Sequence, residues 1–419
     1  MPPITVTRSS NSDALGRYYT KTDISEFLVD QIEDHHPRRL LDLGAGSGSL
    51  SIAAASRWGN LDLLTVDIDA RAADGYKTNL GNSNLKLSSH KHFHTDALSN
   101  DLPSLLNTFS NPIDTAVCNP PFISPEWTSD YSDLLEETGF IQCLPIKSSI
   151  DAAVLFLAQN LRLIGKNATL GIILPDSFIT AAKYKKFRQH LLTNYEVVKV
   201  IQLPRGSFHG TDALASIFII KKTNTGSGLI SIYKLDESRK LSGRLQIPTE
   251  SGFGRLDYNF HCQAINQNRS SDITTLESVK AIINRGTLSS SEAKQYKAPV
   301  FHTSDISEKD CGIWKDLSRF DAPPNFDPKK NLITGEPGDI LIARVGRNLE
   351  TKILGISKGT IILTDCIYRI RVPEHLRAVL LSALSSEKGR KWLSLHAYGV
   401  AAKHLTKLDL LSFPLQVNQ

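Results

Sequence analysis

The first 225 residues alternate short apolar runs with segments of helical spacing, and this alternation constrains the fold more than any other feature. Strands that alternate with helices are typical of a parallel sheet covered by helices. We therefore predict an α/β fold with a doubly wound, mostly parallel sheet of seven strands. The predicted strands are residues 39–43, 61–66, 92–94, 114–118, 168–174, 197–203 and 215–220, and the predicted helices are residues 49–57, 72–80, 152–164 and 183–193.

The pattern changes beyond the small polar run Thr223–Gly228, which is typical of a linker. Turn signals become frequent there and separate strand-like runs such as Ile340–Val345 and Thr360–Leu363, while His375–Leu395 has helical spacing. A chain of 419 residues also exceeds what one hydrophobic core usually serves. We predict two domains, residues 1–225 and a second α+β domain of residues 226–419.

Composition excludes several classes of protein. Apolar residues at 41% and charged residues at 22% are ordinary globular values and argue against a disordered chain. No run approaches about 18 consecutive apolar residues, and the N-terminus lacks the apolar stretch of a secretory signal. The five cysteines are widely spaced and never form C-x-x-C, which argues against a disulfide framework or a zinc site. These features predict a cytoplasmic protein with no membrane contact and no metal.

Charge differs between the two halves, although the net charge of the chain is only +5. Residues 1–225 carry 21 Lys and Arg against 23 Asp and Glu, whereas residues 226–419 carry 27 against 20. A basic second half indicates a domain that meets a polyanion. The alternative is a chance excess of solvated lysines.

A glycine-rich loop, Asp42–Gly48, directly follows the first predicted strand and opens a helix. Its residues Gly44, Ala45 and Gly46 let a ligand approach the backbone closely, and the helix N-terminus offers N–H groups to an anionic group. The loop alone is also compatible with a dinucleotide site or with a plain tight turn.

Two acidic residues at later strand ends favour a nucleoside cofactor. Asp67 ends the second strand, 25 residues after Asp42, where a carboxylate can accept hydrogen bonds from both hydroxyls of a ribose. Asp96 follows the third strand, where it can meet an adenine amino group. Taken singly, each of these residues is more often a helix cap than a ligand.

The segment Asn119-Pro120-Pro121-Phe122 follows the fourth predicted strand. Two prolines stiffen the backbone, so the Asn119 side-chain oxygen and the Pro120 carbonyl become fixed acceptors. Two fixed acceptors suit a planar amino group, and Phe122 can stack on the ring that carries it. The alternative is a rigid loop with a core phenylalanine.

In their order, these segments resemble the S-adenosylmethionine-dependent DNA adenine-N6 methyltransferases of restriction–modification systems, in the γ arrangement. The resemblance covers nearly all of residues 14–222 and implies a Rossmann-like methyltransferase fold. Gly16–Thr20 resembles the N-terminal segment of the family, whose threonine lies near the methionine carboxylate, and Phe208 lies where the family has a second aromatic that touches the target base. Phe122 replaces a tyrosine that is common in the family, so the stacking face is kept and a hydroxyl is lost.

The resemblance implies a role for each matching residue. The residues implied to bind the cofactor are Thr20, Asp42, Gly44, Ala45, Gly46, Asp67, Asp96 and Pro121. The residues implied to act on the target base are Asn119 and Pro120 as acceptors of its amino group, with Phe122 and Phe208 stacking on its ring.

The second half more loosely resembles the target-recognition domains of type I specificity subunits, through Gly338–Arg344 and Gly399–Pro414. The residues that are chemically able to contact phosphates or bases are Arg344, Arg347, Asn348, Lys352, Lys403 and His404. A solvated surface charge is the alternative for each of them.

The expected activity is therefore methyl transfer from S-adenosylmethionine to the N6 amino group of a flipped adenine in a specific duplex DNA sequence, with a cognate restriction endonuclease as a candidate partner. Two alternatives stay open. One is a methyltransferase acting on RNA or on protein glutamine, and the other is a DNA-specificity module with an inactive methylase half. The sequence does not identify the bases that are recognised.

Overall fold

The computed structural model describes residues 20–33, 36–81, 85–106, 112–143, 150–211, 213–223, 225–226, 228–267, 274–321, 332–398 and 402–415. The chain divides into two compact units, Met1–Cys262 and Gln263–Gln419. Most of the expected N-terminal segment, residues 16–19, lies outside the described residues, and only Thr20 of that segment is described.

The first unit is an α/β structure. Its strands are β1 (Arg39–Leu43), β2 (Leu61–Asp67), β3 (Leu87–His94), β4 (Ile113–Cys118), β5 (Ile164–Pro175), β6 (Glu196–Gln202), β7 (Ala215–Lys221), β8 (Leu229–Leu235) and β9 (Leu241–Pro248). Its helices are α1 (Thr22–Asp30), α2 (Ser49–Trp58), α3 (Ala70–Gly81), α4 (Leu102–Leu106), α5 (Ser129–Glu137), α6 (Ala152–Leu163), α7 (Asp176–Thr180), α8 (Lys185–Asn194), α9 (Thr249–Gly254) and α10 (Tyr258–Gln267), the last of which crosses into the second unit.

All nine strands form one mixed sheet in the order β3-β2-β1-β4-β5-β7-β6-β8-β9. Strands β7 and β9 run antiparallel to their neighbours, and the other seven strands share one direction. The expectation of a seven-stranded sheet is therefore wrong in number, because β8 and β9 extend the sheet beyond β6. The expected strands and helices of the first 225 residues are all present, with ends that differ by a few residues.

The expected domain boundary at residue 225 differs from the boundary between the two units. β8 pairs in parallel with β6, so the chain continues the same sheet after the polar run. The run is also held in place, since the Gly226 N–H donates to the Thr193 carbonyl at 2.9 Å. A Cβ at Gly226 would lie 2.0 Å from the Leu192 carbonyl oxygen, so this position packs against the end of α8 and is not a free linker.

A buried arginine ties residues after 226 to the earlier helices. Arg188 on α8 is fully buried, and its guanidinium donates to the carbonyls of Phe178 and Ala181 at 2.8 and 2.9 Å and to those of Phe253 and Gly254. Burial lowers the pKa of Arg188 to about 10. Because four carbonyl acceptors from two parts of the chain satisfy one buried cation, α8 and α9 are held together as one structure.

The second unit combines short strands and helices. Its strands are β10 (Thr274–Thr275), β11 (Ile282–Arg285), β12 (Val300–Phe301), β13 (Ile313–Asp316), β14 (Thr334–Gly335), β15 (Ile340–Ala343), β16 (Val345–Gly346), β17 (Ile353–Lys358), β18 (Ile361–Leu363), β19 (Ile367–Arg371), β20 (Lys403–His404) and β21 (Pro414–Leu415). Its helices are α11 (Ser290–Gln295), α12 (Glu374–Ser385), α13 (Glu387–His396) and α14 (Lys407–Leu411).

The main sheet of the second unit has the order β11-β19-β15-β17-β13; its central strand β15 is fully buried, and β17 and β19 are mostly buried. The expected helix over residues 375–395 is two helices. Ser386 separates them, because its hydroxyl accepts the Gly389 N–H at 3.0 Å and so begins α13. Within the described residues, no helix is long and apolar enough to cross a membrane.

Candidate functional site

A cavity of about 250 Å³ opens at the edge of the first sheet where the parallel strands β1, β2 and β4 end. Parallel strands bring their carboxyl ends to one edge, so loops far apart in sequence meet there. Nine of the residues expected at the site line this cavity: Thr20, Asp42, Gly44, Ala45, Gly46, Asp67, Asp96, Asn119 and Pro121. Pro120, Phe122 and Phe208 are not part of its lining.

The glycine loop is shaped by close packing as well as by backbone conformation. Gly44 and Gly48 have φ of 72° and 83°, a region that favours glycine. A Cβ at Gly48 would lie 2.3 Å from the Tyr76 ring, and one at Gly44 would lie 3.2 Å from Phe156 on α6. A side chain at Gly48 would therefore clash with Tyr76, and one at Gly44 would be strained by its positive φ and would press on Phe156.

Asp67 is held in place by the backbone around it. Its two carboxylate oxygens accept the N–H groups of Gly46 and Asp69, each at 2.8 Å, and the residue is buried. An ionised carboxylate has about four lone-pair positions. Two such positions therefore remain for donors in the cavity, which is what a pair of ribose hydroxyls needs.

Asp42 is almost fully buried beneath the loop. Ser51 donates its hydroxyl to one Asp42 oxygen at 2.5 Å. Burial, together with the negative charge of Asp67, raises the pKa of Asp42 to about 7 against the opposing effect of the Ser51 hydrogen bond. A cation in the cavity would favour the ionised form of this carboxylate.

Asp96 lies beside a residue that the sequence analysis missed. The Asp96 carboxylate accepts the Leu98 N–H at 2.9 Å, which fixes its direction, and Tyr131 on α5 lines the same cavity. Burial raises the pKa of the Tyr131 phenol, and the charges of Asp96 and Asp130 raise it further. Tyr131 lies in the first turn of α5 and is separated from Phe122 by an irregular segment, so no spacing rule marks it in the sequence.

Asn119 contacts the described end of the N-terminal segment. Its Nδ2 donates to the Thr20 hydroxyl at 2.8 Å. This contact places the nitrogen of the amide toward Thr20 and the oxygen on the opposite side. Thr20 also forms an antiparallel bridge with Phe208, so three expected site residues from distant segments meet at one point.

The two aromatic residues expected to hold a target base are in contact with each other. The ring centroids of Phe122 and Phe208 are 6.1 Å apart, with planes at 73°. This is an edge-to-face pair and not a parallel slot. Phe208 is buried, and Pro120 is buried next to Asn119. A base that stacks on Phe122 therefore requires Phe208 to move or uses another part of the Phe122 face.

The basic candidates of the second unit are mostly engaged within it. Arg344 is half-buried, donates to the Asp365 carbonyl at 2.6 Å and pairs with the Asp365 carboxylate at 3.8 Å. Lys352 donates to the Thr303 carbonyl at 2.8 Å, and Lys403 donates to the Ser394 hydroxyl at 2.6 Å.

Two of the expected segments lie side by side. β16 pairs with β20, which sets Val345 opposite His404 and Gly346 opposite Lys403. Arg347 follows β16 and is exposed, whereas the neighbouring Asn348 donates to Glu308 at 2.9 Å. Burial and the charge of Arg344 lower the pKa of His404.

The first unit is thus an α/β protein with a small-molecule cavity at its strand ends. Residues 6–282 match the family model described as N-6 DNA Methylase, which is more than half of the chain. The chain therefore belongs to this family.

Two relatives illustrate the range of the match. The type II methyltransferase M.BanIII of Aneurinibacillus aneurinilyticus is 22% identical over 267 residues, which cover 58% of this chain and 45% of the relative. A tRNA1(Val) (adenine(37)-N6)-methyltransferase of Vibrio vulnificus is 37% identical over 90 residues, which cover 22% of this chain and 34% of the relative. The chain spans less than half the length of either relative.

The fold is similar to that of the type IIL restriction-modification enzyme MmeI, solved in complex with DNA. The TM-score is 0.53 at 12% identity, over 93% of this chain and 64% of that one. At this identity the similarity concerns the fold alone.

The family and the fold imply S-adenosylmethionine as the cofactor, and the cavity fits it. The glycine loop leaves space for the ligand, Asp67 has acceptor positions for ribose hydroxyls, and Asp42 suits a cationic group. Among the described residues, no group of three or more His, Cys, Asp or Glu side chains could hold a metal ion.

Proposed function

We propose that this chain transfers a methyl group from S-adenosylmethionine to the N6 amino group of adenine in duplex DNA. The observation that supports the proposal most directly is that Asn119 lines the cavity expected to bind the cofactor. Asn119 and Pro121 line the same cavity as Asp67 and Asp96, so an amino group held at Asn119 would lie beside the cofactor. Bound S-adenosylmethionine would supply an electrophilic methyl group on a positively charged sulfur.

The Asn119 loop would hold and orient the amino group of the target. An exocyclic amino group has two hydrogens to donate, and the Asn119 side-chain oxygen and the Pro120 carbonyl would accept one each. The hydrogen bond from Asn119 Nδ2 to Thr20 supports this orientation, because it sets the amide oxygen away from Thr20. With both hydrogens accepted, the lone pair of the nitrogen would point toward the cavity, so positioning and electrostatics supply the catalysis.

The target adenine would leave the duplex to reach this site, at a cost of a few kcal/mol of unstacking. Phe122 would stack on the flipped base. The edge-to-face contact between Phe122 and Phe208 supports a pocket that opens when the base enters. Phe208 would then line the second side of the base.

The second unit is proposed as the target-recognition domain, with the boundary after Cys262 instead of residue 225. Residues 263–419 carry 22 Lys and Arg against 16 Asp and Glu, so a net positive charge remains in this unit with the revised boundary. The ladder of β16 and β20 would place Arg347 and Lys403 against DNA. A role in restriction–modification, with a cognate endonuclease, is proposed from the names of the DNA-methylating relatives.

RNA is the second candidate substrate, and a specific observation favours it. The tRNA-methylating relative is the more identical of the two relatives compared above, although over a shorter segment. The 90 aligned residues of the tRNA-methylating relative are fewer than the residues of the second unit, Gln263–Gln419, so this match cannot cover the whole of that unit. The DNA proposal therefore depends on what that unit binds.

One experiment separates these substrates. The full chain is incubated with tritiated S-adenosylmethionine and, separately, with DNA amplified in vitro, total RNA or total protein. The labelled polymer is digested and its modified unit is identified by mass spectrometry. The proposal expects N6-methyl-2′-deoxyadenosine from DNA and no label with Asn119→Ala. Label confined to RNA or protein would overturn it.

A further inference from the structure

The loop that begins at Asn119 is held by side chains at its start and near its middle. At its start, Asn119 donates to Thr20. Two residues after Phe122, the Ser124 hydroxyl donates to Asp151 Oδ1 at 2.9 Å. Residues 119–128 form no helix or strand between β4 and α5, so side-chain contacts of this kind limit how far the loop can move.

Asp151, the acceptor of the Ser124 hydrogen bond, lies at the start of a helix. It is the N-cap residue of α6, where an Asp side chain normally accepts an N–H of its own helix. Here the side chain makes no such capping hydrogen bond. The carboxylate faces Ser124 and two donors that precede α8 instead, so the stabilisation available from capping is given up for contacts with other segments.

Those two donors come from a part of the fold that is well anchored. Lys183 Nζ lies 3.3 Å from Asp151 Oδ2, and the Tyr184 hydroxyl donates to the same oxygen. Tyr184 is buried, and burial together with the Asp151 charge holds the pKa of its phenol well above the ordinary value. The neighbouring Ala152 N–H donates to the Ile123 carbonyl at 2.7 Å, which gives the loop a second attachment at this place.

We propose that Asp151 is a positioning residue that fixes the far end of the Asn119–Phe122 loop through Ser124. The proposal rests on the proposed function, because the loop is assigned there to the target amino group. Asp151 acts through Ser124 and does not touch the reacting atoms. Its loss allows the acceptors to move, and a displacement of about 1 Å at a reacting centre can cost about a hundredfold in rate.

The kinetic test uses Ser124→Ala, because Ser124 is exposed and its removal leaves no buried group unsatisfied on the loop side. On DNA amplified in vitro, kcat should fall about tenfold, while the affinity for S-adenosylhomocysteine changes less than threefold. Asp151→Ala should lose more, and Asp151→Asn should recover part of the loss, because an amide oxygen still accepts from Ser124. Ser88→Ala is the matched control, since it removes an exposed serine hydroxyl that donates to the Asn60 carbonyl at 2.7 Å far from the loop.

Hydrogen exchange of the peptide covering residues 119–128 gives a readout that is independent of activity. Exchange should accelerate in Ser124→Ala and Asp151→Ala and stay as in wild type for Ser88→Ala. Unchanged exchange in Ser124→Ala would overturn the proposal, and so would faster exchange with an unchanged kcat. If the wild-type chain methylates no DNA, the proposed function fails, and the exchange rates alone decide whether Asp151 anchors the loop.

Discussion

The cavity of the first unit and the basic ladder of the second unit hold their polar side chains in different ways. Asp67 is fixed by two backbone N–H groups, and a Cβ at Gly48 would clash with the Tyr76 ring. In the second unit, Arg344 and Lys403 bond to neighbours in their own unit, while Arg347 is exposed. The cavity is therefore set by steric and backbone hydrogen-bond constraints, whereas the basic side chains near the ladder are either held by contacts with neighbouring side chains and carbonyls or, like Arg347, exposed.

The difference explains which assignments the sequence supports well. A position that permits one residue type can be recognised in the sequence by that residue type, as with Gly48 in the glycine loop. A lysine on a surface leaves no such mark, because the same residue type suits solvent, an ion pair or a phosphate. The predictions that follow test both sides of this comparison.

Asn119→Ala should have the largest effect. Removal of the amino-group acceptor should lower kcat by two or more orders of magnitude and leave cofactor affinity nearly unchanged, since loss of one positioned polar group costs about 10²–10³ in rate. Turnover with tritiated cofactor and calorimetry with S-adenosylhomocysteine measure the two quantities. Asn194→Ala, at the end of α8, is the control. A variant that retains more than a tenth of wild-type turnover would show that Asn119 is not the acceptor.

Asp67→Ala should weaken cofactor binding by about 1–3 kcal/mol, because two ribose hydroxyls lose a charged acceptor. Calorimetry with S-adenosylhomocysteine measures the change, and the exposed Asp74→Ala on α3 serves as the control. Unchanged affinity would assign Asp67 to the structure of the glycine loop alone, through its bond to Gly46.

Arg347→Gln and Arg344→Gln should separate a binding side chain from a structural one. Arg347→Gln should reduce the log–log salt slope of DNA binding by about 0.9 if the side chain meets a phosphate, or relax sequence preference if it meets a base. Arg344→Gln should lower the melting temperature, because it breaks the contacts with Asp365. Wild-type slope and sequence preference in Arg347→Gln would remove it from the proposed interface.

Asp42→Asn should have an effect that is absent at low pH and becomes visible as a pH dependence of stability. The pKa of Asp42 is raised from 3.8 to about 7, so between these values the folded protein keeps a proton that the unfolded chain has lost. Wild-type stability therefore falls as pH rises through this window, and the variant lacks this loss. The melting-temperature advantage of Asp42→Asn should be absent near pH 4, grow through pH 7 and level off above about 8.

Ser51→Ala sharpens the same test. The Ser51 hydrogen bond lowers the pKa of Asp42, so its loss should raise that pKa further. The pH range over which wild-type stability falls should then extend to higher pH. An advantage of Asp42→Asn that does not change with pH would contradict the raised pKa.

Strands β1, β2, β4, β5 and β7 of the first sheet were predictable because they are apolar and mostly buried. β3 is polar and has no buried residue, and the sequence indicated only its last residues, 92–94. β8 and β9 were assigned to another domain because a polar run precedes them. Their place in the sheet depends on pairing with β6, about 30 residues earlier in the chain, and local composition carries no information about that pairing.

The same limit applies within the site. Residues at strand ends, such as Asp67 and Asn119, were found because topology brings strand ends together. Tyr131 and Asp151 were not found, since their positions depend on contacts across irregular segments and between separate helices. The contact between Phe122 and Phe208 depends on side-chain packing, so the sequence indicated both residues and not the geometry between them.

The buried Arg188 has a consequence for how this chain can be recombined with its relatives. Its guanidinium donates to carbonyls of α9 as well as to carbonyls of the segment before α8. A junction at residue 225 would remove the α9 acceptors and leave a buried cation partly unpaired. β6 would also lose its partner β8. A chimera that exchanges specificity modules should therefore keep this chain through Cys262 and graft new sequence within or after α10, which makes the interchangeable cassette shorter than the change in composition indicates.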